Sequence, residues 1–336
     1  MIATRRIGDL AVPELGFGAA PLGNLYRTIS DADAAATIGA AFAAGLTYAD
    51  TAPHYGLGLS EKRLGKALSP DVIVSTKVGR VLIPADGPFP PVRNAFYTQE
   101  PYAPVYDYTH DGVLRSHDDS LKRLGVDRVH ILYVHDIGPA THGDAHPAML
   151  AQLLEGGGFR ALQRLRDQGA IHAFGIGVNE TGVAMELMDR VAMDVILLAG
   201  RYTLLEQDAL DALLPRCVEG GTAVVIGGPY NSGVLTGSQH YNYAPAPPEI
   251  VERVQQIATV CARYDVPLGA AALQFPLAHP AVASVIPGLA SPEEVMETVT
   301  RYSAAIPAQL WDELKAEGLL RPDVPTPAPK SIEVPA

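Results

Sequence analysis

Four side chains able to move a proton on and off an oxygen atom stand at the ends of successive short apolar runs. One run ends Ala49-Asp50-Thr51-Ala52-Pro53-His54-Tyr55-Gly56, the next ends Thr76-Lys77, and the next Val134-His135-Asp136. A further run ends Val178-Asn179-Glu180. An isolated tyrosine, with a pKa of about 10, is a poor proton donor or acceptor at neutral pH. An ammonium group held against it stabilises the phenolate and lowers that pKa. Asp50 would keep Lys77 charged and in place, and His135 would hydrogen-bond and orient the reacting oxygen. Asp50, Tyr55, Lys77 and His135 together suit proton transfer at an alcohol or carbonyl oxygen, which leaves hydride transfer to a cofactor. Each has a plainer reading: Asp50 as a helix cap, Tyr55 as a pocket wall, Lys77 as a solvated strand end, His135 as a satisfied histidine beneath a loop. Their joint placement on three successive runs favours chemistry.

Such residues converge only if the runs are neighbouring strands pointing the same way. Eight runs qualify: Leu15–Ala20, Leu46–Ala49, Val72–Thr76, His130–Val134, Ala173–Val178, Val195–Leu198, Ala223–Ile226 and Ala283–Ile286. All are short and apolar without polar alternation, as in strands buried on both faces. Helical signals lie between them. Ser30-Asp31-Ala32-Asp33 reads as a capping box closed downstream by Gly45, the helix through Val113 and Leu121 stops at Gly125, and Ser291-Pro292-Glu293-Glu294 opens another helix. Eight βα units in a row point to an α/β fold, a (β/α)8 TIM barrel, with an open doubly wound sheet as the competitor. In a barrel the strand C-terminal ends form the active-site rim. Thr4–Val12 reads as a hairpin plugging one barrel end, and Ile83 to Thr109 as a long, aromatic-rich connection after strand three, an ordered lid or pocket wall. Residues 1–320 are expected to form one barrel domain, and 321–336, with five prolines, an extended tail.

Composition narrows the function. The 336 residues are 48% hydrophobic and 18% charged, with a net charge of −12, a balance that excludes a disordered chain. The acidic surface argues against nucleic acid and against anionic membrane. The uncharged stretches Gly220 to Pro248 and Val266 to Pro292 are broken by glycine and proline, so no membrane span is expected. Cys217 and Cys261 supply no disulfide framework, and the cytoplasm is the expected compartment. Gly16-Phe17-Gly18-Ala19-Ala20-Pro21 starts like a dinucleotide fingerprint, but proline stands at the third glycine and a barrel strand is the better reading. His142, Asp144 and His146 lack the further ligands a metal site needs, and no metal is expected.

The segment Asp50 to Gly56 with Lys77 and His135 resembles the aldo-keto reductase superfamily. So do Ser120-Leu121-Lys122-Arg123-Leu124-Gly125-Val126-Asp127, Gly233-Val234-Leu235-Thr236-Gly237 and Ile286-Pro287-Gly288. The resemblance spans roughly Leu15 to Thr300 and implies a barrel that binds a nicotinamide cofactor without a Rossmann domain. It gives Tyr55 the acid/base role, Asp50 and Lys77 the tuning, and His135 the orientation of substrate. It places cofactor contacts at Gly18, Ala19, Asp50 and Asn179, along Gly227, Gly228, Pro229, Tyr230, Asn231, Ser232 and Gly233, and along Pro287, Gly288, Leu289, Ala290, Ser291, Glu294, Glu297 and Thr298. Val178 stands where a serine is common, and Gly227 where many members carry an aromatic under the nicotinamide. Substrate contacts are expected from Tyr26, His54, Tyr55 and His135, with Arg201 and Tyr202 as further pocket residues.

Glu294 falls where members that prefer NADP commonly carry an arginine. A carboxylate there repels a 2′-phosphate and can accept from a free 2′-hydroxyl, so NAD is expected rather than NADP. Arg301 is the nearest basic residue downstream. Tyr106-Asp107-Tyr108-Thr109-His110-Asp111-Gly112-Val113-Leu114-Arg115-Ser116, with His135-Asp136-Ile137 and Thr141-His142-Gly143, resembles the aldose dehydrogenase branch, which takes L-fucose or D-threo-aldoses, and the similar pyridoxal 4-dehydrogenases. The resemblance therefore implies NAD-dependent oxidation of a cyclic hemiacetal to a lactone. An NADPH-dependent aldehyde or ketone reductase, a non-catalytic nucleotide-binding barrel and a Schiff-base lyase built on Lys77 are the alternatives. Oligomeric state is not encoded in any of these patterns.

Overall fold

The computed structural model describes residues 2–328. Eight parallel strands follow one another around a single sheet: β1 (Phe17–Gly18), β2 (Tyr48–Asp50), β3 (Ile73–Val78), β4 (Ile131–His135), β5 (Ala173–Val178), β6 (Val195–Ala199), β7 (Ala223–Gly227) and β8 (Val282–Ile286). Parallel bridges from Leu15 to Val285 and from Gly18 to Gly288 close the sheet on itself. The Gly18 amide donates to Pro287 O at 2.9 Å, and a Cβ at Gly18 would meet that same oxygen at 2.9 Å. Only glycine lets the backbones meet at this seam. The competing open sheet is thereby excluded.

The expected helices form where their caps are. Ser30 and Asp33 make both bonds of a capping box ahead of helix Asp31–Ala43. Helix His110–Leu124 ends at a left-handed Gly125, φ 66, as helix C-termini prefer. Ser291 caps helix Pro292–Ser303 by accepting from the Glu294 amide. The antiparallel pair Thr4–Ile7 and Leu10–Pro13 seals one end of the barrel. Its buried Ile7 and Val12 join Tyr48, Tyr133, Leu197 and Val225, which alternate inward from the strands.

The long connection after β3, expected as an ordered lid or pocket wall, is ordered by strand pairing that the sequence reading did not assign. Arg80–Pro84 and Tyr102–Tyr106 pair as an antiparallel ribbon, with a smaller pair, Val92–Arg93 and Phe96–Tyr97, at its end. The apolar alternation that would have revealed these strands is interrupted by Pro84 and Pro104. The ribbon is stitched to the barrel mouth through Tyr97 N to Asn24 O at 3.0 Å and Thr98 Oγ1 to Gly56 O at 3.0 Å.

Of the proline-rich tail, Arg321 donates its backbone amide to Gln207 at 3.0 Å and Val324 is buried against the barrel, so the chain stays docked beyond 320. Residues 329–336 lie outside the described residues. No helix among the described residues is long and apolar enough to cross a membrane.

Candidate active site

Strand geometry builds the floor of the site. Ser75 and Lys77 are two residues apart on β3 and therefore share its inward face, while Asp50 lies opposite Ser75 in the β2–β3 register. Lys77 Nζ donates to Asp50 Oδ2 at 2.6 Å and to Thr51 O at 2.9 Å, and both charged side chains are buried. Ser75 Oγ donates to Asp50 Oδ1 at 2.7 Å and lies 3.1 Å from the Tyr48 hydroxyl, itself 3.0 Å from that of Tyr133. Sequence reasoning missed Ser75, Tyr48 and Tyr133 as supports for the acid, because only the closed barrel stacks three strands' inward residues together.

Above this pair lies Tyr55. Lys77 Nζ sits 4.7 Å from the centroid of its ring. The turn that carries Tyr55 is clamped from behind: a Cβ on Gly23 would meet Tyr55 C at 2.5 Å, and Gly56, φ 66, leaves room for Gly23 O. The His135 ring stands at 89° to Tyr55, with centroids 6.0 Å apart, and Phe96 from the ribbon lies 6.0 Å away on another side. The four residues expected to do the chemistry are thus together.

The electrostatics differ from the expectation in one respect. Burial pushes the Tyr55 phenol well above its ordinary value, and the negative charge of Asp50 adds to this. The anticipated acidic tyrosine is therefore not what the site presents, because burial outweighs the cations around the phenol. Burial also pushes the Asp50 carboxyl up, opposed by Lys77 and Ser75. Burial, with the cations Arg80 and Lys77, drives His135 well below its ordinary value, so it is a neutral imidazole. His54, at the same rim, is lowered to about 3 for the same reasons. Its ring packs edge-on against both Phe96 and His135, at 5.5 and 5.9 Å.

Behind His135 is a network that sequence reasoning overlooked. Asp136 has a left-handed backbone, φ 47, and pairs with Arg80, while its Oδ2 lies 3.4 Å from His135 Nε2. Tyr108, one of the aromatics of the long connection, donates from its hydroxyl to His135 O at 2.8 Å and contacts His142 Nε2 at 2.9 Å. His142 is therefore engaged with tyrosine, and His146 Nδ1 contacts Ile137 O. Among the described residues no group of three or more His, Cys, Asp or Glu could hold a metal ion.

Other expected residues divide. Asn179 lies at the rim, its backbone oxygen held by Arg201 Nε at 2.7 Å. Arg201 is thus at the mouth, but Tyr202 is not: it is buried against Phe275 and His279 in the helical layer. The chain turns at Gly200, φ 67, just past the end of β6, and this separates the two side chains. Tyr26, φ 61, sits beside the loop after β7, stacked on His240 at 6.1 Å. The Gly18 and Ala19 amides are engaged by Pro287 O and Asp50 O.

The loops after β7 and β8 run side by side. In the first, Gly228, Asn231, Ser232 and Gly233 all have positive φ, and the curl is closed by Asn231 N to Gly228 O at 3.0 Å and Gly233 N to Tyr230 O at 2.9 Å. Asn231 anchors it, accepting from Thr203 Oγ1 at 2.6 Å and donating to Gly200 O at 3.1 Å. Pro229 is buried, Tyr230 lies under Arg301, and Glu297 pairs with Arg301, while Thr298 is buried beneath. In the second loop Gly288 is exposed between buried Pro287 and Leu289, and the Ala290 amide donates to Glu294 Oε2 at 2.7 Å. The other carboxylate oxygen of Glu294 meets Arg27 Nη2 at 2.7 Å. Arg27 is 267 residues away in the chain, so no local reading of sequence could find this pair. The curled loop, the adjacent capped helix and the side chain of Asn179 line one side of the mouth with groups suited to an elongated dinucleotide.

The family profile of the aldo/keto reductases matches residues 14–317. The chain belongs to the aldo/keto reductase family. It is 43% identical over 326 residues to a pyridoxal 4-dehydrogenase from Microbacterium luteolum, covering 93% of this chain and 95% of that one. It is 41% identical over 330 residues to a D-threo-aldose 1-dehydrogenase from a Pseudomonas species, covering 95% and 96%. Among solved structures, the holo form of an aldo-keto reductase from Bacillus halodurans superposes with a TM-score of 0.70 at 25% identity, over 94% of this chain and 96% of that one. This aldo/keto reductase is therefore an oxidoreductase acting on a small molecule with a nicotinamide cofactor.

Proposed function

We propose that this enzyme oxidises the anomeric carbon of a cyclic hemiacetal to a lactone, with NAD as the hydride acceptor. The observation that carries the reading is the buried Lys77–Asp50 pair beneath the Tyr55 ring, with the neutral His135 at right angles to it. A nicotinamide ring, when bound, supplies the acceptor for hydride. The chain's own residues handle the oxygen. The hydroxyl proton at the anomeric carbon passes to the Tyr55 phenolate, the C–H bond breaks with its electron pair leaving as hydride, and a C=O bond forms. His135 donates a hydrogen bond to that oxygen, and Lys77 stabilises the phenolate before the proton arrives. An aldose of the L-fucose or D-threo type is the favoured substrate and pyridoxal, closed on itself as a hemiacetal, the alternative, in keeping with the names of the relatives at 41% and 43% identity.

Asp50, Tyr55, Lys77 and His135 are the proposed catalytic residues, His54 lines the substrate side, and Asn179 with the loops after β7 and β8 holds the cofactor. NAD is preferred because Glu294 sets a carboxylate at the adenosine end and keeps Arg27 engaged. Residues 1–320 form the catalytic barrel and 321–336 an accessory tail, in a cytoplasmic enzyme. Reduction of an aldehyde or ketone with NADPH is the second reading, favoured by one observation: a phenol whose pKa is raised is a ready proton donor to a carbonyl. Initial rates with NAD, NADP, NADH and NADPH against L-fucose, L-galactose, D-arabinose and pyridoxal, with a lactone assay on each product, separate the two. NAD-dependent lactone formation is the expected result. Turnover confined to NADPH and an open-chain carbonyl would overturn the proposal.

A further inference from the structure

Between two short strands of the loop after β7, His240–Tyr241 and Ala244–Pro245, a two-residue turn is tied to the barrel rim. Both tip residues, Asn242 and Tyr243, are left-handed, φ 47 and 65, as such a hairpin requires. The tip is pinned. Arg201 Nη1 donates to Asn242 Oδ1 at 3.1 Å while its Nε holds Asn179 O, and the Tyr243 amide donates to Ser232 Oγ at 2.9 Å. The Tyr243 hydroxyl faces the Asn179 side chain and lies within electrostatic reach of Tyr55, Asp136 and Lys77. Yet the residue is 61% exposed. The hydroxyl is tucked into the site while the ring remains open to solvent, an arrangement that leaves apolar area waiting for a partner. No ring comes from β7 itself, because its last residue is Gly227, whose absent Cβ would sit 3.3 Å from Leu197 Cδ2.

We propose that Tyr243 is the ring that packs on the nicotinamide end of the cofactor, delivered from the hairpin tip rather than from the barrel. The inference rests on the reading that Asn179 receives the carboxamide. In the free enzyme the Tyr243 hydroxyl faces the Asn179 amide; on binding it leaves that amide to the carboxamide, and the ring covers the heterocycle. Equilibrium titrations of NADH and of ADP-ribose, which lacks the nicotinamide, test this on wild type, Tyr243→Ala, Tyr243→Phe and Asn179→Ala. Loss of an aromatic contact should weaken NADH binding by about three- to tenfold in Tyr243→Ala, with ADP-ribose affinity unchanged. Tyr243→Phe should bind NADH as tightly as wild type or more so, because it keeps the ring and frees Asn179. Unchanged or tighter NADH binding by Tyr243→Ala, or an equal loss for ADP-ribose, would overturn the inference. Asn179→Ala separates the two failures: if it does not weaken NADH binding, the carboxamide site is wrong; if it does and Tyr243→Ala does not, only the role of the ring is wrong.

Discussion

Replacing Lys77 with methionine removes one charge from a buried pair and leaves the other. With Nζ 4.7 Å from the Tyr55 ring centroid, and that distance taken as the charge separation, an effective dielectric near 20 gives an interaction of about 3.5 kcal/mol with the phenolate. That corresponds to roughly two to three pKa units. Asp50 already raises the Tyr55 pKa, so once the ammonium is gone its repulsion acts unopposed. Oxidation at fixed neutral pH should therefore fall by about two to three orders of magnitude, and the alkaline rise of kcat/KM should move up by the same interval. The double variant Asp50→Asn/Lys77→Met removes both charges, leaves burial with Asp136 and Arg80 to set the phenol, and should recover about tenfold over the single variant. The assay is a pH–rate profile of lactone formation, with thermal unfolding run alongside, because an unpaired buried Asp50 also destabilises the fold. A Lys77→Met enzyme with the wild-type profile would refute the coupling of lysine to tyrosine. A double variant slower than the single one would refute the account of Asp50.

Tyr55→Phe should lower turnover by about a thousandfold or more, while NADH affinity measured by titration stays near wild type, since the hydroxyl acts on the substrate oxygen. In the wild type the raised phenol pKa leaves little phenolate at neutral pH, so oxidation should climb about tenfold per pH unit into the alkaline range while carbonyl reduction stays flat. A plateau in oxidation already reached at neutral pH would contradict this. Glu294→Gln releases Arg27 and should improve NADP affinity by about fivefold, an improvement that Arg27→Ala in the same background should abolish. Thr109, which caps helix His110–Leu124 by accepting from Gly112 N at 3.2 Å, should on change to alanine cost about 1 kcal/mol of stability in denaturant melts, with kcat unaltered.

The positions of Asp50, Tyr55, Lys77 and His135 were legible in the chain because each follows a run that only a buried parallel strand satisfies, and parallel strands bring equivalent ends to one rim. The helix starts at Ser30 and Ser291 were legible for a similar reason: a cap is a local bond, made within four residues. The ribbon Arg80–Pro84 with Tyr102–Tyr106 was not, since its two strands lie about twenty residues apart and prolines mask their alternation.

What the sequence by itself determined is therefore the barrel and the identity of the groups at its mouth, because period, capping and strand order are near-neighbour properties. What only the tertiary structure decided is the state of those groups. The charge of Lys77 is held by Asp50, the Tyr55 phenol is raised by burial, Glu294 is answered by Arg27, and Arg201 ties the tip of a distant hairpin to Asn179. Electrostatic energy depends on distance and on exclusion of water, and neither exists until segments remote in the chain have packed together.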